Sequence, residues 1–423
     1  MRPLHLSALL ALTAATASAD WPTLHGDLHL GHARQVGVEL QTTVPDDGWP
    51  TLWKHDCGSG FAGPIVRDNR VLLFHRVGDE SVVEALDAAT GKPLWKTAWP
   101  TDYKDDFGFD NGPRSTPTAD STHVYCYAAD GTLAALKLTD GTLVWKKDCA
   151  AELGSPKGFF GRCCSALVHG NVLLVATGGP EAGITAFDTR TGEIRWKAPT
   201  GEASYASPTS FMSLPGTPAV FLTREGITGI EPNTGEIQFK APFRARSHTS
   251  VNAATPLIVQ DDQFFTSASY DTGAALWQIA RDGKSLKPIW QKKDILDCHY
   301  ATPVCFNGSL IGFHGRQETG QELRCVRASD GELQWSIPLD AGHLICSRET
   351  LIILTEAGEL ILAPADPLQK PALTQRSQVL RGGHRAPPAM NDGLLYARDK
   401  SRLVCIGLRQ PAAPKDSKAP KTP

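Results

Sequence analysis

Several things are missing from this chain, and each absence removes a class of function. Beyond the first twenty residues there is no run of about 20 apolar residues, so no membrane-spanning helix is expected. There are ten cysteines but no C-x-x-C pair, so neither a zinc ribbon nor a c-type haem attachment is indicated. No H-x-H or H-E-x-x-H occurs, and a metal site is not expected. No Gly-rich phosphate loop and no Ser-His-Asp pattern stands out. The net charge is −3, which supplies no basic footprint for nucleic acid. No amphipathic helical run of any length competes with the short alternating strands described below.

The two ends read differently from the middle. "MRPLHLSALLALTAATASAD" has a basic start at Arg2, a short apolar run and a small-residue A-x-A ending, the pattern of a secretory signal peptide. Residues 1–19 are therefore expected to be removed by cleavage after Ala19, leaving a periplasmic or secreted protein. No cysteine follows the cleavage site, so no lipid anchor is expected there. Residues 410–423, rich in Pro, Lys and Ala, offer almost nothing to bury and are expected to be disordered.

What fills the middle is a repeat. "ALDAATGKPLW" (85–95) recurs as "ALKLTDGTLVW" (135–145), "AFDTRTGEIRW" (186–196), "GIEPNTGEIQF" (229–239), a longer "IARDGKSLKPIW" (279–290) and "CVRASDGELQW" (325–335). Each is a strand, a glycine turn and a second strand ending in a large aromatic. A ring at a fixed place in every unit is best explained by packing between units. Two further strands precede each turn, and Ser/Thr-Pro opens most units. Four short antiparallel strands in about 48 residues make a propeller blade. Residues 20–409 hold about eight of these, an all-β eight-bladed propeller of four-stranded blades. The last unit, "PPAMNDGLLYARDKSRLVCIGL", stops after three strands, and "WPTLWKHDC" (49–57) reads as the missing outer strand that closes the ring and removes its open edges.

The motif A-x-D-x-x-T-G-x-x-x-W resembles the tryptophan-docking repeat of the pyrroloquinoline-quinone (PQQ) propeller superfamily. Ala85, Asp87, Thr90, Gly91 and Trp95 match it, as do Ala186, Asp188, Thr191, Gly192 and Trp196. The resemblance covers residues 50–408 and is specific for the fold, weak for function. It extends to quinoprotein dehydrogenases, which carry PQQ and a metal on the axis, and to BamB-like outer-membrane assembly proteins, which carry neither. The opening "DWPTLHGD" resembles the W-P-x-x-x-G leader of exported PQQ-like repeat proteins.

In such a fold the crossovers between blades and the second-to-third-strand turns line one mouth of the channel. The candidate ligand-binding residues there are Arg114, Arg162, Cys163, Cys164, Tyr205, Arg244, Arg246, His248, Asn252, Tyr270, Asp297, His299, Tyr300, His314, Arg316, Glu318 and Arg385. His343 and His384 complete the ring. The abundance of Arg, His and Tyr suits an anionic or hydroxyl-rich ligand, and describes a solvated rim equally well. Adjacent Cys163 and Cys164 would form a strained disulfide, their α-carbons only about 3.8 Å apart. The resemblance implies that such a pair stacks on the quinone in the enzymes, but no motif here places the enzymes' calcium ligands or catalytic aspartate.

The expected function is therefore a non-catalytic binding or scaffold protein that uses its channel mouth for an envelope protein, a glycan or a small anionic ligand. No cofactor is firmly expected. A PQQ-dependent dehydrogenase with calcium is the alternative, and a BamB-like assembly scaffold the second. A monomer is expected, with no nucleic-acid partner.

Overall fold

The structure is a computed structural model and describes residues 19–35, 38–211, 213, 214, 216, 218–247 and 251–410. The expected signal peptide up to Ser18 and the tail from residue 411 lie outside these, as does His248. Among the described residues no helix is long and apolar enough to cross a membrane.

Eight four-stranded antiparallel sheets are arranged as the blades of a propeller. In chain order the first seven span residues 65–100, 118–148, 167–198, 209–242, 257–292, 304–338 and 342–378. Blade 8 takes three strands from 389–407 and its outer strand, Thr51–Asp56, from the other end of the chain. Trp53 faces Cys405 and His55 faces Leu403 across that closure. Closing a ring with strands from both ends leaves no blade with an unpaired inner strand, the arrangement that the three-strand last repeat called for.

The repeated aromatic does what its fixed position suggested. The indole N–H of Trp145, in the outer strand of blade 2, donates to Thr189 O in blade 3 at 3.0 Å. Trp53, Trp95, Trp196, Trp290 and Trp335 make the same bond to the next blade, at Ala88, Leu138, Pro232, Ala328 and Asp366. All of these rings but that of Trp335 lie on a turn glycine where a side chain would collide. At Gly192, with φ +71°, a Cβ would sit 2.6 Å from the Trp145 ring. The glycine is thus required twice, by the left-handed turn and by the indole above it. Phe239, which replaces the tryptophan in blade 4, is buried in a core that also holds Trp277 and Ile279 of blade 5 but has no N–H to dock with. Blade 7 has no aromatic in its outer strand, Gln375–Gln378. Instead Trp49, just before the closing strand, is buried in the core shared by blades 7, 8 and 1, and its backbone N–H bonds Ser377.

One feature of the fold has no repeat to announce it. The segment 20–33 crosses the channel as a strap. It starts on blade 1, where Trp21 and Val66 exchange backbone hydrogen bonds, and passes blade 2, where Thr23 Oγ1 meets Thr118 Oγ1 at 3.0 Å. It ends on blades 6 and 7. There His32 Nε2 contacts Cys305 O at 2.8 Å, and the backbone of Gly31 and Ala33 pairs with Cys346. The contacts fall on the innermost strands themselves, at Val66, Thr118, Cys305 and Cys346, rather than on the crossovers that feed them. The strap therefore gives the channel a floor, and what would be a through-pore becomes a cup open at the crossover face.

Candidate functional site

The cup is a cavity of about 330 Å³ on the propeller axis. Nine of the residues expected at the mouth line it: Arg114, Cys163, Tyr205, Tyr270, His299, Tyr300, Arg316, Glu318 and Arg385. They come from the crossovers into blades 2, 3, 4, 6 and 8 and from the second-to-third-strand turns of blades 5 and 6. Floor and inner wall come from Leu24, His25 and His343, and an aromatic wall from Phe61, Phe109 and Phe160.

One side of the cavity is a directed hydrogen-bond chain. His299 Nδ1 lies 2.8 Å from Gln317 Oε1, an acceptor, so Nδ1 carries the proton. Burial, with Arg316 and Arg385 nearby, lowers the His299 pKa and keeps the ring neutral. Its Nε2 then accepts the Tyr270 hydroxyl at 3.1 Å. Gln317 Nε2 passes the chain on to Glu356 Oε1 at 3.1 Å. Glu356 also accepts from the Tyr300 hydroxyl and pairs with Arg385 at 3.3 Å. Burial raises the Glu356 pKa, against the pull of Arg385. This carboxylate thus orients one phenol and one guanidinium of the lining from behind.

The three lining arginines each lie against a ring. Arg316 sits 4.3 Å from the Tyr270 centroid and 3.2 Å from Glu318 Oε2. Arg114 lies over Phe61 and Phe160 at 5.4 and 5.6 Å, and bonds Asp105 at 3.2 Å. Arg385 lies over Phe109 and Phe61 at 5.4 and 5.9 Å. A guanidinium flattened on an aromatic face keeps unused N–H donors in its own plane. Arg114 spends donors on Asp105, Phe160 O and the Tyr103 hydroxyl, whereas Arg316 and Arg385 pair with carboxylates through Nε. The latter two therefore supply the main cationic surface for an anion with a flat or polyhydroxyl body.

The other expected residues are turned elsewhere, each for a local reason. Arg162 is consumed by backbone carbonyls, reaching Asp130 O at 3.0 Å as well as Ser155 O, and so staples its crossover. Asn252 is buried and donates to Thr223 O and Phe243 O at 2.9 and 3.0 Å. Asp297 and His314 clasp each other's strands: Asp297 N–H donates to His314 Nδ1 at 3.0 Å, and His314 Nε2 meets Asp294 at 3.2 Å. Arg244 pairs with Glu225 on the outer rim, and Arg246 is exposed there. The two adjacent cysteines diverge. Cys163 lines the cavity, while Cys164 is buried with its Sγ toward Ala176 O at 3.6 Å. All ten cysteines are free thiols. Burial pushes both Cys163 and Cys164 up to about 12, so neither is a ready nucleophile.

Leu24, His25, Phe61, Phe109, Phe160 and Glu356 were not singled out from sequence. The leader's part is invisible to a repeat search because it belongs to no blade. The phenylalanines did leave a signal: "FGFD" (107–110) and "GFFG" (158–161) set aromatic residues in Gly-rich crossovers, where a strand core cannot claim them.

Residues 47–221 match the family described as outer membrane protein assembly factor BamB. An alcohol dehydrogenase (quinone) subunit of Komagataeibacter europaeus is 33% identical over 143 residues, 32% of this chain and 19% of that one. The quinohemoprotein alcohol dehydrogenase of Comamonas testosteroni is 26% identical over 196 residues, 43% of this chain and 26% of that one. The matches thus span a fifth to a quarter of the length of these relatives. Among solved structures, BamB from Moraxella catarrhalis superimposes with a TM-score of 0.59 at 14% identity, covering 85% of this chain and 97% of that one. The Comamonas testosteroni dehydrogenase gives 0.64 at 15% identity, covering 93% and 81%. These likenesses are of fold. Together with the docked tryptophans, they make the chain similar in fold to the PQQ-like repeat β-propellers, with the family match confined to residues 47–221.

Proposed function

We propose that this is an exported binding protein whose axial cup holds a small anionic ligand. One observation carries the reading: Arg114, Arg316 and Arg385 converge, with Tyr270 and Tyr300, on a cavity that the chain's own leader has closed at the far end. A scaffold that binds only through its outer surface has no need of such a floor. Export to the periplasm or medium, with cleavage after Ala19, follows from the leader sequence.

A quinoprotein alcohol dehydrogenase is the reading that the curated relatives favour. The lining suits half of it. PQQ as a planar polyanion matches the arginine forks and the aromatic wall. A calcium-assisted centre does not fit, because no group of three His, Cys, Asp or Glu among the described residues is placed to hold a metal. Glu318, the carboxylate of the lining, is taken by Arg316. The BamB-like scaffold reading rests on the family match to residues 47–221, and capture of outer-membrane assembly proteins from envelope extracts would favour it.

The test is native mass spectrometry of protein purified from its own envelope, together with titration of naphthalene-2-sulfonate as a model anion. Wild type is expected to bind the anion, and R316Q/R385Q to bind it about 100-fold more weakly, since charged hydrogen bonds contribute roughly 1.5–3 kcal/mol each. Equal affinity in wild type and R316Q/R385Q would sink the reading. Oxidation of alcohols by wild type loaded with PQQ and calcium would replace it with the dehydrogenase.

A further inference from the structure

The mouth of the cup carries an aromatic surface that reaches beyond the cavity lining. Phe107 and Phe109 are 56% and 47% exposed, although both belong to one organised loop. The side chain of Asp105, itself fully buried, accepts backbone N–H groups from Phe109 and Asp110 at 2.7 and 3.1 Å and pairs with Arg114. Asn111 Oδ1 closes the loop on the Asp105 N–H at 2.8 Å. The neighbouring crossover is fixed just as firmly. The Tyr205 hydroxyl oxygen accepts the N–H groups of Phe159 and Phe160 at 2.8 and 3.1 Å. Lys157 ties the two loops together through Asp106 at 2.6 Å, and Arg114 does so through Phe160 O at 3.1 Å.

The result is a four-ring cluster. Phe107 meets Phe160, Phe159 and Phe109 with centroids 5.2, 6.2 and 6.5 Å apart, and Phe109 meets Phe160 at 6.0 Å. Phe109 and Phe160 also line the cup, so the cluster continues the cavity wall out onto the rim. Two phenylalanines held toward water by buried polar anchors are not hydrophobic residues that failed to find a core. The polar groups beside them are already committed: Asp105, Asn111 and Asp106 as above, and Arg224, which lies 5.4 Å from the Phe159 centroid and pairs with Glu202. These polar groups are engaged with the protein, and what the cluster itself presents to solvent is aromatic. Rings stacked edge and face against one another offer a site for another aromatic ring.

Resting on the anion-binding reading above, we propose that the ligand is amphipathic and aromatic. Its anionic end lies in the arginine cup, and an aryl portion extends out of the mouth onto Phe107, Phe109, Phe159 and Phe160. The occupant is a single molecule that spans both parts, because Phe109 and Phe160 belong to both.

The test compares naphthalene-2-sulfonate, inorganic sulfate and an alkyl sulfonate of ten carbons, by calorimetry, on wild type, F107S/F159S and R316Q/R385Q. Phe107 and Phe159 lie outside the cavity lining, and thermal melting of F107S/F159S checks that the fold is intact. Expected is a loss of about tenfold in naphthalenesulfonate affinity in F107S/F159S, with sulfate competing equally well in both proteins. Unchanged naphthalenesulfonate affinity in F107S/F159S overturns the platform while leaving the anion site standing. An alkyl sulfonate that binds as tightly as the aryl one, and loses as much in F107S/F159S, overturns the aromatic assignment. Loss of neither probe in R316Q/R385Q overturns the anion site beneath both.

Discussion

Replacing Trp145 by Ala is expected to destabilise the propeller by about 3–5 kcal/mol, the range for truncating a buried tryptophan. The ring is only 8% exposed and packs with Tyr125 and Phe187, centroids 6.2 and 6.5 Å away. Three losses combine: the ring's buried area, the indole bond to Thr189 O, and the contact that seats the ring on Gly192. The cavity left behind lies between two blades, and neither can collapse into it while the ring stays closed. Trp145→Phe separates the terms. It keeps most of the area and loses the donor, at about 1 kcal/mol, which is the state blade 4 already has at Phe239. Urea unfolding measures both variants. An Ala variant within about 1 kcal/mol of wild type would show that the docked indoles are decoration rather than the joints of the ring.

The second large effect is a loss of stability in mild acid. His343 is 8% exposed and donates from Nε2 to Arg385 O at 2.9 Å, with its ring 5.7 Å from that of Tyr300. Burial lowers its pKa to about 4, and neighbouring His384 acts in the same direction. The native protein therefore keeps His343 neutral, while the unfolded chain takes up a proton near pH 6.5. Stability from this group is complete above pH 6.5 and is lost as the pH falls toward 4, by up to about 3 kcal/mol. His25 and His29 on the strap, lowered to about 3 and about 4 chiefly by burial, act with the same sign. Urea midpoints between pH 7.5 and 4.5 are expected to fall steeply in wild type and less so in H343Q, whose amide can still donate to Arg385 O. Parallel curves for the two proteins would remove His343 as the cause. Because His25 and His343 both line the cup, acid is expected to weaken the walls of the site along with the fold.

How much of this could be read from residues alone follows from what repeats and what does not. The six aromatic-terminated units, their glycine turns and the three-strand last repeat fixed the eight blades and the closing role of residues 49–57. Each of those features is local, within a strand–turn–strand unit, and a ring of equal units has few other ways to close. The same logic placed Arg114, Tyr205, Tyr270, His299, Tyr300, Arg316 and Arg385 at one mouth, because crossovers and second-to-third-strand turns share a face. It did not say where each side chain points. Arg162 and Arg114 sit at comparable places in successive crossovers. Arg162 is spent on carbonyls of its own crossover and of the neighbouring blade 2 turn, at Ser155 and Asp130, and Arg114 reaches the cavity while paired with Asp105 of its own crossover. Cys163 and Cys164 share a peptide bond yet face the cup and the core, because adjacent residues entering a strand point to opposite sides.

Sequence by itself determined the architecture: the number of blades, the tryptophan joints and the strand that closes the ring, all consequences of a short pattern repeated. Only the tertiary structure decided that the channel has a floor, that Glu356 stands behind Arg385 and Tyr300, and that two successive crossovers meet as one aromatic rim. Those contacts join segments far apart in the chain and outside the repeat, so no spacing along the sequence encodes them. They exist because eight blades, once closed, bring every crossover to the same axis.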